Sequence, residues 1–114
     1  MTPEGLPRAW RLTRQVEFAT VLERGHRRRF ARLDLAWCPN DIAHPRLAVI
    51  VPRHGETAVA RNRLRRRLRE VARREILPTL PPLDVVIRAR PPAYAADVPD
   101  LRAELDQWLQ SLRS

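Results

Sequence analysis

Residue types that support enzyme chemistry are scarce in this chain of 114 residues. Cys38 is the single cysteine, which excludes an internal disulfide and any zinc or iron–sulfur site built from several cysteines. Three glycines are too few for the glycine-rich loop that cradles a nucleotide phosphate. The histidines, His26, His44 and His54, lack the spacing of metal ligands. The sequence therefore indicates no catalytic residue, no metal site and no cofactor bound by the protein.

Long hydrophobic runs are also absent. The apolar segments, such as 47–52, extend for only a handful of residues, whereas a membrane-spanning helix needs about 20. The N-terminus lacks the apolar stretch of a secretory signal. We therefore expect a soluble, cytoplasmic protein with no membrane partner.

Positive charge is abundant and unevenly distributed. All 22 basic residues are arginines, against 13 acidic residues, and the formal net charge is +9. Residues 61–74 contain eight arginines and one acid, and a second basic cluster, 24–32, contains five arginines and no acid. A guanidinium group can bind a phosphate through two parallel hydrogen bonds. Such localised positive charge is typical of a nucleic-acid binder.

The pattern of hydrophobic residues predicts one α+β domain over residues 1–114, with a flexible segment at 1–10. The predicted elements are a helix at 14–24, strands at 32–37 and 46–51, a long helix at 58–77, a strand at 84–89 and a helix after residue 97. Thr13, Thr57 and Asp97 are the predicted N-caps of the three helices, and Gly25 is predicted to end the first. The alternation of strand, helix and strand from 46 to 89 predicts helices packed on a small sheet.

The long helix is predicted to be amphipathic. Leu64, Leu68 and Val71 fall on its apolar side. A polar stripe on the opposite side comprises Asn62, Arg66, Arg69 and Arg73, with Arg63, Arg67 and Arg74 on its flank. Glu70 can pair with Arg66 or Arg74, because residues four apart are neighbours on a helix.

The segment TAVARNRLRRRLRE, residues 57–70, resembles the signature of the bacterial ribonuclease P protein component, whose central helix opens with Arg-Asn-Arg. That motif is Arg61, Asn62 and Arg63 here. Residues 11–25, 46–53 and 84–91 resemble the family's first helix, the strand before the motif and the last strand. The resemblance implies an α+β fold with a four-stranded sheet and flanking helices, in the order α-β-β-β-α-β-α, with a left-handed βαβ crossover.

The resemblance also implies a function without a protein active site. The partner would be a catalytic RNA that removes the 5′ leader from precursor tRNA with Mg²⁺ bound by the RNA. The chain would then be the noncatalytic subunit of a ribonucleoprotein endoribonuclease. The residues expected to bind RNA are Arg61, Asn62, Arg63, Arg65, Arg66, Arg67, Arg69 and Arg73 of the long helix, together with Arg27, Arg28 and Arg29.

Members of this family also have a cleft between the first helix and the sheet, which holds the single-stranded leader. By resemblance, the cleft residues here are Arg11, Arg14, Phe18, Leu22 and Trp37. The family commonly has an aromatic residue at position 22 and a tyrosine on the strand, where this chain has Leu22 and Ala36. Phe18 and Trp37 are each open to two interpretations, cleft or core. Phe18 also belongs to an apolar stripe with Val21 and Leu22 that is typical of a packed core.

Two other functions are compatible with the charge. A structural RNA-binding protein of the ribosomal type would share this composition and fold but serve no processing enzyme. A DNA-binding protein could place residues 58–77 in a groove, but strands and a loop precede this helix instead of the first helix of a helix-turn-helix. We therefore expect no DNA partner.

Overall fold

A computed structural model describes residues 8–113. Within this range the elements are α1 (Gln15–Arg24), β1 (His26–Arg29), β2 (Leu33–Pro39), β3 (Arg46–Ile50), α2 (Ala58–Val71), β4 (Leu83–Ala89) and α3 (Val98–Leu112). Their order is the one that the resemblance implies. Of the segment expected to be flexible, residues 1–7 lie outside the described residues, and Arg8–Trp10 forms a short 3₁₀ turn.

The four strands found in residues 8–113 form one mixed sheet in the order β1-β2-β4-β3. β2 pairs antiparallel with both β1 and β4, whereas β3 and β4 are parallel and are connected through α2. The register places Ala36 opposite Arg27 on one side and Val86 on the other, and Ala48 is also opposite Val86. Residues opposite each other share a face of the sheet, so these residues mark one face.

The two faces of the sheet carry separate apolar clusters. One face packs against α2 and α3, where the buried residues include Leu35, Leu68 and Trp108; we call it the α2/α3 face. The other face, the α1 face, has a smaller cluster in which Val21 of α1 packs with Ala36 and Val86. Because α1 is short, it covers only part of its face.

Two of the three predicted N-caps are confirmed. Thr57 Oγ1 accepts a hydrogen bond from the Ala60 N–H (3.1 Å) at the start of α2, and Asp97 Oδ1 accepts one from the Asp100 N–H (3.1 Å) at the start of α3. The prediction for Thr13 was wrong. The cap of α1 is Arg14, whose backbone N–H donates to Glu17 Oε1 (3.2 Å), so the helix begins one residue later.

The long helix changes character before Pro78. It is α-helical to Val71, then forms a π-helical turn over Ala72–Ile76 and a 3₁₀ turn over Leu77–Thr79. Proline lacks an N–H, so Pro78 cannot donate the next hydrogen bond of the helix, although Leu77 before it keeps helical backbone angles (φ −54°, ψ −40°). The predicted helix over 58–77 is therefore regular α-helix only as far as Val71, and its remaining residues continue in π- and 3₁₀-helical turns.

Gly25 connects α1 to β1 at a point where two backbone segments meet. Its φ of −76° suits any residue, but a Cβ there would lie 2.4 Å from the Val21 carbonyl oxygen and 2.6 Å from the Trp37 carbonyl oxygen. We expect Gly25→Ala to lower the free energy of unfolding by about 3 kcal/mol, because neither backbone atom can move aside easily.

Urea denaturation measures this effect, and Gly55→Ala is the control. Gly55 has a φ of +85° and open space around it, so alanine there introduces only the strain of a left-handed residue, about 1 kcal/mol. If Gly25→Ala is no more destabilising than Gly55→Ala, the close approach at Gly25 does not determine this connection.

Candidate nucleic-acid interface

The outer surface of α2 is a continuous array of arginines. Its apolar side, formed by Leu64, Leu68 and Val71, is buried against the sheet and α3. The exposed residues of the predicted stripe and flank are Asn62, Arg63, Arg66, Arg67 and Arg74, and those that are half-buried are Arg61, Arg65, Arg69 and Arg73. Folding therefore converts the dense charge of this segment into one surface that faces solvent.

The three residues of the Arg-Asn-Arg motif differ in their surroundings. Arg61 Nε donates a hydrogen bond to the Val51 carbonyl oxygen (2.7 Å), which ties the first turn of α2 to the chain just after β3. Asn62 and Arg63 are exposed on the helix surface. Arg61 thus has a structural contact in addition to any contact with a ligand, whereas the next two residues are available to a partner.

Like charges crowd together on the side of α2 that is nearest to β3. Burial lowers the pKa of Arg69, and the positive charges of Arg11 and Arg65 lower it further. Arg11 reaches this place because its backbone pairs with Leu47 at the edge of β3. Bringing like charges together raises the free energy of the folded protein. A polyanion bound here would relieve that repulsion.

Near the end of α2, two arginines share one carboxylate. Glu70 Oε1 accepts a hydrogen bond from Arg74 Nε (2.7 Å) and another from Arg73. The hydrogen bond from Arg73, followed by that from Arg74, lowers the pKa of Glu70. The predicted pairing of Glu70 with Arg74 is confirmed, whereas Arg66 forms no ion pair within the described part of the chain. The arginines that form no ion pair among the described residues, which make up the unneutralised part of the α2 surface, therefore lie in its first three turns.

The arginines of β1 are divided between the two faces of the sheet. Arg27 and Arg29 point to the α1 face, where Arg27 Nη2 donates to the Leu22 carbonyl oxygen (2.5 Å) and Arg29 Nε donates to Asp34 Oδ1 (3.1 Å). Arg28 points the other way, with its guanidinium 4.7 Å from the centre of the Phe30 ring. Alternation along a strand explains this division.

A cleft of about 510 Å³ opens on the α1 face, between the end of α1, β1 and the uncovered part of the sheet. Leu22 forms one wall, and the floor includes Ala36, Ile50 and Val86. The charged residues around it are Arg27, Arg28, Arg29, Asp34 and Arg88, of which Arg28 directs its guanidinium to the other face of the sheet. An apolar floor with a basic rim suits an unstacked nucleobase whose phosphates remain near solvent.

The structure separates the residues that were predicted to share the cleft. Leu22 lines it. Phe18 is half-buried beneath α1 against the apolar cluster of that face, and Arg11 and Arg14 are exposed on the chain that leads into α1.

The placement of Trp37 in the cleft was wrong. Its ring packs edge-on against the buried Trp108 on the α2/α3 face, with a distance of 5.4 Å between ring centres. Neighbouring residues of a strand point to opposite faces, so Ala36 and not Trp37 faces the cleft.

Sequence reasoning missed two charged residues of the cleft, Asp34 and Arg88. Both belong to strands in which apolar residues alternate with polar ones, and Arg88 lies opposite Asp34 in the sheet. In the segment DVVIRA, Arg88 lies two residues after Val86, so the two side chains share a face of the strand. This pattern places Arg88 in the cleft only once the face covered by α1 is known.

The described residues contain no group of three or more His, Cys, Asp and Glu side chains that could hold a metal ion. Cys38 is half-buried, and burial, followed by the charge of Asp84, raises the pKa of its thiol. A raised pKa disfavours the reactive thiolate. None of the helices in residues 8–113 is long and apolar enough to cross a bilayer.

Comparisons with known proteins agree with this geometry. A family model described as Ribonuclease P matches residues 6–113. The ribonuclease P protein component of Acidothermus cellulolyticus is 39% identical over 111 residues, covering 94% of this chain and 91% of the relative. That of Beutenbergia cavernae is 39% identical over 108 residues, with the same coverage.

Solved structures share the fold. The RNase P protein of Staphylococcus aureus, at 26% identity, superposes with a TM-score of 0.77 and covers 92% of this chain and 96% of that one. The RNase P protein of Thermotoga maritima, at 24% identity, superposes with a TM-score of 0.78 and covers 89% of this chain and 96% of that one. With an arginine-rich α2, a basic cleft and a family match over nearly its whole length, the chain belongs to the ribonuclease P protein family.

Proposed function

We propose that this chain is the noncatalytic, RNA-binding subunit that assists the catalytic RNA of ribonuclease P in removing the 5′ leader from precursor tRNA in the cytoplasm. The observation that carries the proposal is the unneutralised arginine surface on the first three turns of α2, at residues 61–69. Its charge density suits the phosphates of a folded RNA.

The chain has two separate surfaces for two RNA ligands. α2 and Arg11 would bind the catalytic RNA through phosphates, which positions the protein without reading sequence. The cleft on the α1 face would hold the single-stranded leader, with bases on the floor around Ala36 and Val86 and phosphates on Arg27 and Arg88. Binding both RNAs holds the substrate next to the catalytic RNA and lowers the entropic barrier to reaction.

The chemical step is assigned to the RNA. We place the Mg²⁺ ions on the catalytic RNA, as the resemblance to the family implies. The protein would supply positive charge that reduces repulsion between the two RNAs, and this effect is largest where cations are scarce.

Reconstitution tests this function. The protein is mixed with a bacterial ribonuclease P RNA and a precursor tRNA at low Mg²⁺ concentration, and leader release is followed by gel electrophoresis. We expect strong stimulation relative to the RNA alone, because the protein supplies charge that Mg²⁺ otherwise provides. We expect no cleavage by the protein freed of RNA. Absence of stimulation, or cleavage by the protein alone, would contradict the proposed role.

A further inference from the structure

A single carboxylate lies within the otherwise basic rim of the cleft. Asp34 lines the cleft, and its side chain is 31% exposed. Its two cross-strand neighbours are Arg29 and Arg88. Oδ1 accepts a hydrogen bond from Arg29 Nε (3.1 Å), whereas Oδ2 has no donor among the described residues. A ligand in the cleft therefore meets an acceptor that is open to it.

The position of this carboxylate is unfavourable for a ligand that is held only by its phosphates. A negative charge there repels the phosphates that Arg27, Arg29 and Arg88 attract. A base that donates hydrogen bonds to the carboxylate offsets this repulsion, because hydrogen bonds to charged groups are stronger than those between neutral groups. Asp34 thus favours some bases over others, although the arginines favour any nucleotide.

We propose that Asp34 selects guanine at one position of the single-stranded RNA in the cleft, an inference that rests on the proposed binding of the leader there. Guanine presents N1–H and an N2 amine side by side on its Watson–Crick edge, a pair of donors that suits the two acceptor oxygens of a carboxylate. Adenine and cytosine present one amine each. Uracil presents N3–H between two carbonyl oxygens, which the carboxylate repels.

The surroundings of Asp34 suit a purine. The cleft, of about 510 Å³, falls within the range of pockets for small ligands, roughly 300–1,000 Å³. Its floor is wide because Ala36 is small, and its wall is the flexible aliphatic Leu22. Arg88, directly opposite Asp34 in the sheet, can donate to guanine O6 while the carboxylate accepts from N1 and N2.

The test uses precursor tRNAs in which an all-uridine leader carries one guanosine, moved stepwise along the leader. Affinity for the complex of the protein with ribonuclease P RNA is measured for each substrate and for mature tRNA. We expect one register of the guanosine to bind about tenfold more tightly than the all-uridine leader. Adenosine and cytidine in that register should give smaller gains, and Asp34→Val should remove the preference.

Asp106→Asn is the matched control. Like Asp34→Asn, it raises the net charge by one, but it lies on α3 and away from the cleft. Asp34→Asn should flatten the guanosine preference and Asp106→Asn should leave it intact, with thermal denaturation confirming that each variant is folded.

The outcomes separate this inference from the proposed function. A wild-type complex that prefers precursor to mature tRNA but ignores leader sequence would overturn the role of Asp34 alone. A guanosine preference that persists in Asp34→Val would do the same. Equal affinity for precursor and mature tRNA would overturn leader binding in the cleft, and the role of Asp34 with it.

Discussion

Replacing Arg63, Arg65, Arg66 and Arg67 together by glutamine is expected to weaken binding of the catalytic RNA on the order of a hundredfold at moderate salt. These side chains lie on the first three turns of α2 and form no ion pair within the described part of the chain. Each lost phosphate contact removes about 0.9 or less from the slope of log affinity against log salt. The slope should therefore fall by about 3, as measured by filter binding over a salt series.

A pair of double variants with the same change in charge provides the control. Arg66→Gln with Arg67→Gln removes two arginines from the α2 surface, and Arg102→Gln with Arg113→Gln removes one from α3 and one from its C-cap. If the charge on α2 and not the net charge determines binding, only the α2 pair should substantially reduce the slope of log affinity against log salt. Equal losses for the two pairs, or an unchanged slope in the quadruple variant, would argue against α2 as the RNA-binding surface.

The elements with strong local signals were predictable from the sequence. Thr57 and Asp97 precede helices with clear apolar stripes, and both cap them as predicted. β1 has no such signal, since its four residues, His26–Arg29, include no hydrophobic side chain. It forms because β2 offers it a free edge for backbone hydrogen bonds, a tertiary effect that outweighs local preference.

The arrangement of the cleft could be predicted only in part. β2 has buried residues on both faces, such as Leu35 and Ala36, so its sequence does not show which face α1 covers. The resemblance placed Trp37 in the cleft, and the sequence of β2 could not correct this, although it is the neighbouring residue Ala36 that lies there. The contribution of Arg88 and Asp34 also depends on the register between β2 and β4. Register is a long-range property that one strand does not reveal.

Arg46 joins α1 to the sheet, and its replacement by methionine is expected to lower the free energy of unfolding by about 3–5 kcal/mol. Its Nε and Nη2 donate to the two oxygens of Asp84 (2.8 Å each), and its Nη1 donates to Glu17 of α1. The hydrogen bond to Asp84 is the main cause of the raised pKa of Arg46. Asp84 is only 6% exposed, so methionine would leave a buried carboxylate without its cation. Urea denaturation measures the loss.

The double variant Arg46→Met with Asp84→Asn identifies the cause of that loss. If the destabilisation comes from the stranded charge, removing the charge should restore more than half of the stability, because an uncharged group is far less costly to bury. Asn40 Nδ2, which donates to Asp84 Oδ1 (2.9 Å), can donate equally to the amide oxygen of the new asparagine.

No recovery of stability in the double variant would show that Arg46 contributes through packing and geometry. A single variant Arg46→Met within about 1 kcal/mol of the wild type would show that the network adds little to stability. The ion pair between Arg46 and Glu17, which the double variant loses, fastens only the first half of α1. The second half is held separately, because Arg27 donates to the Leu22 carbonyl oxygen. The double variant should therefore keep Leu22, the wall of the cleft, in place.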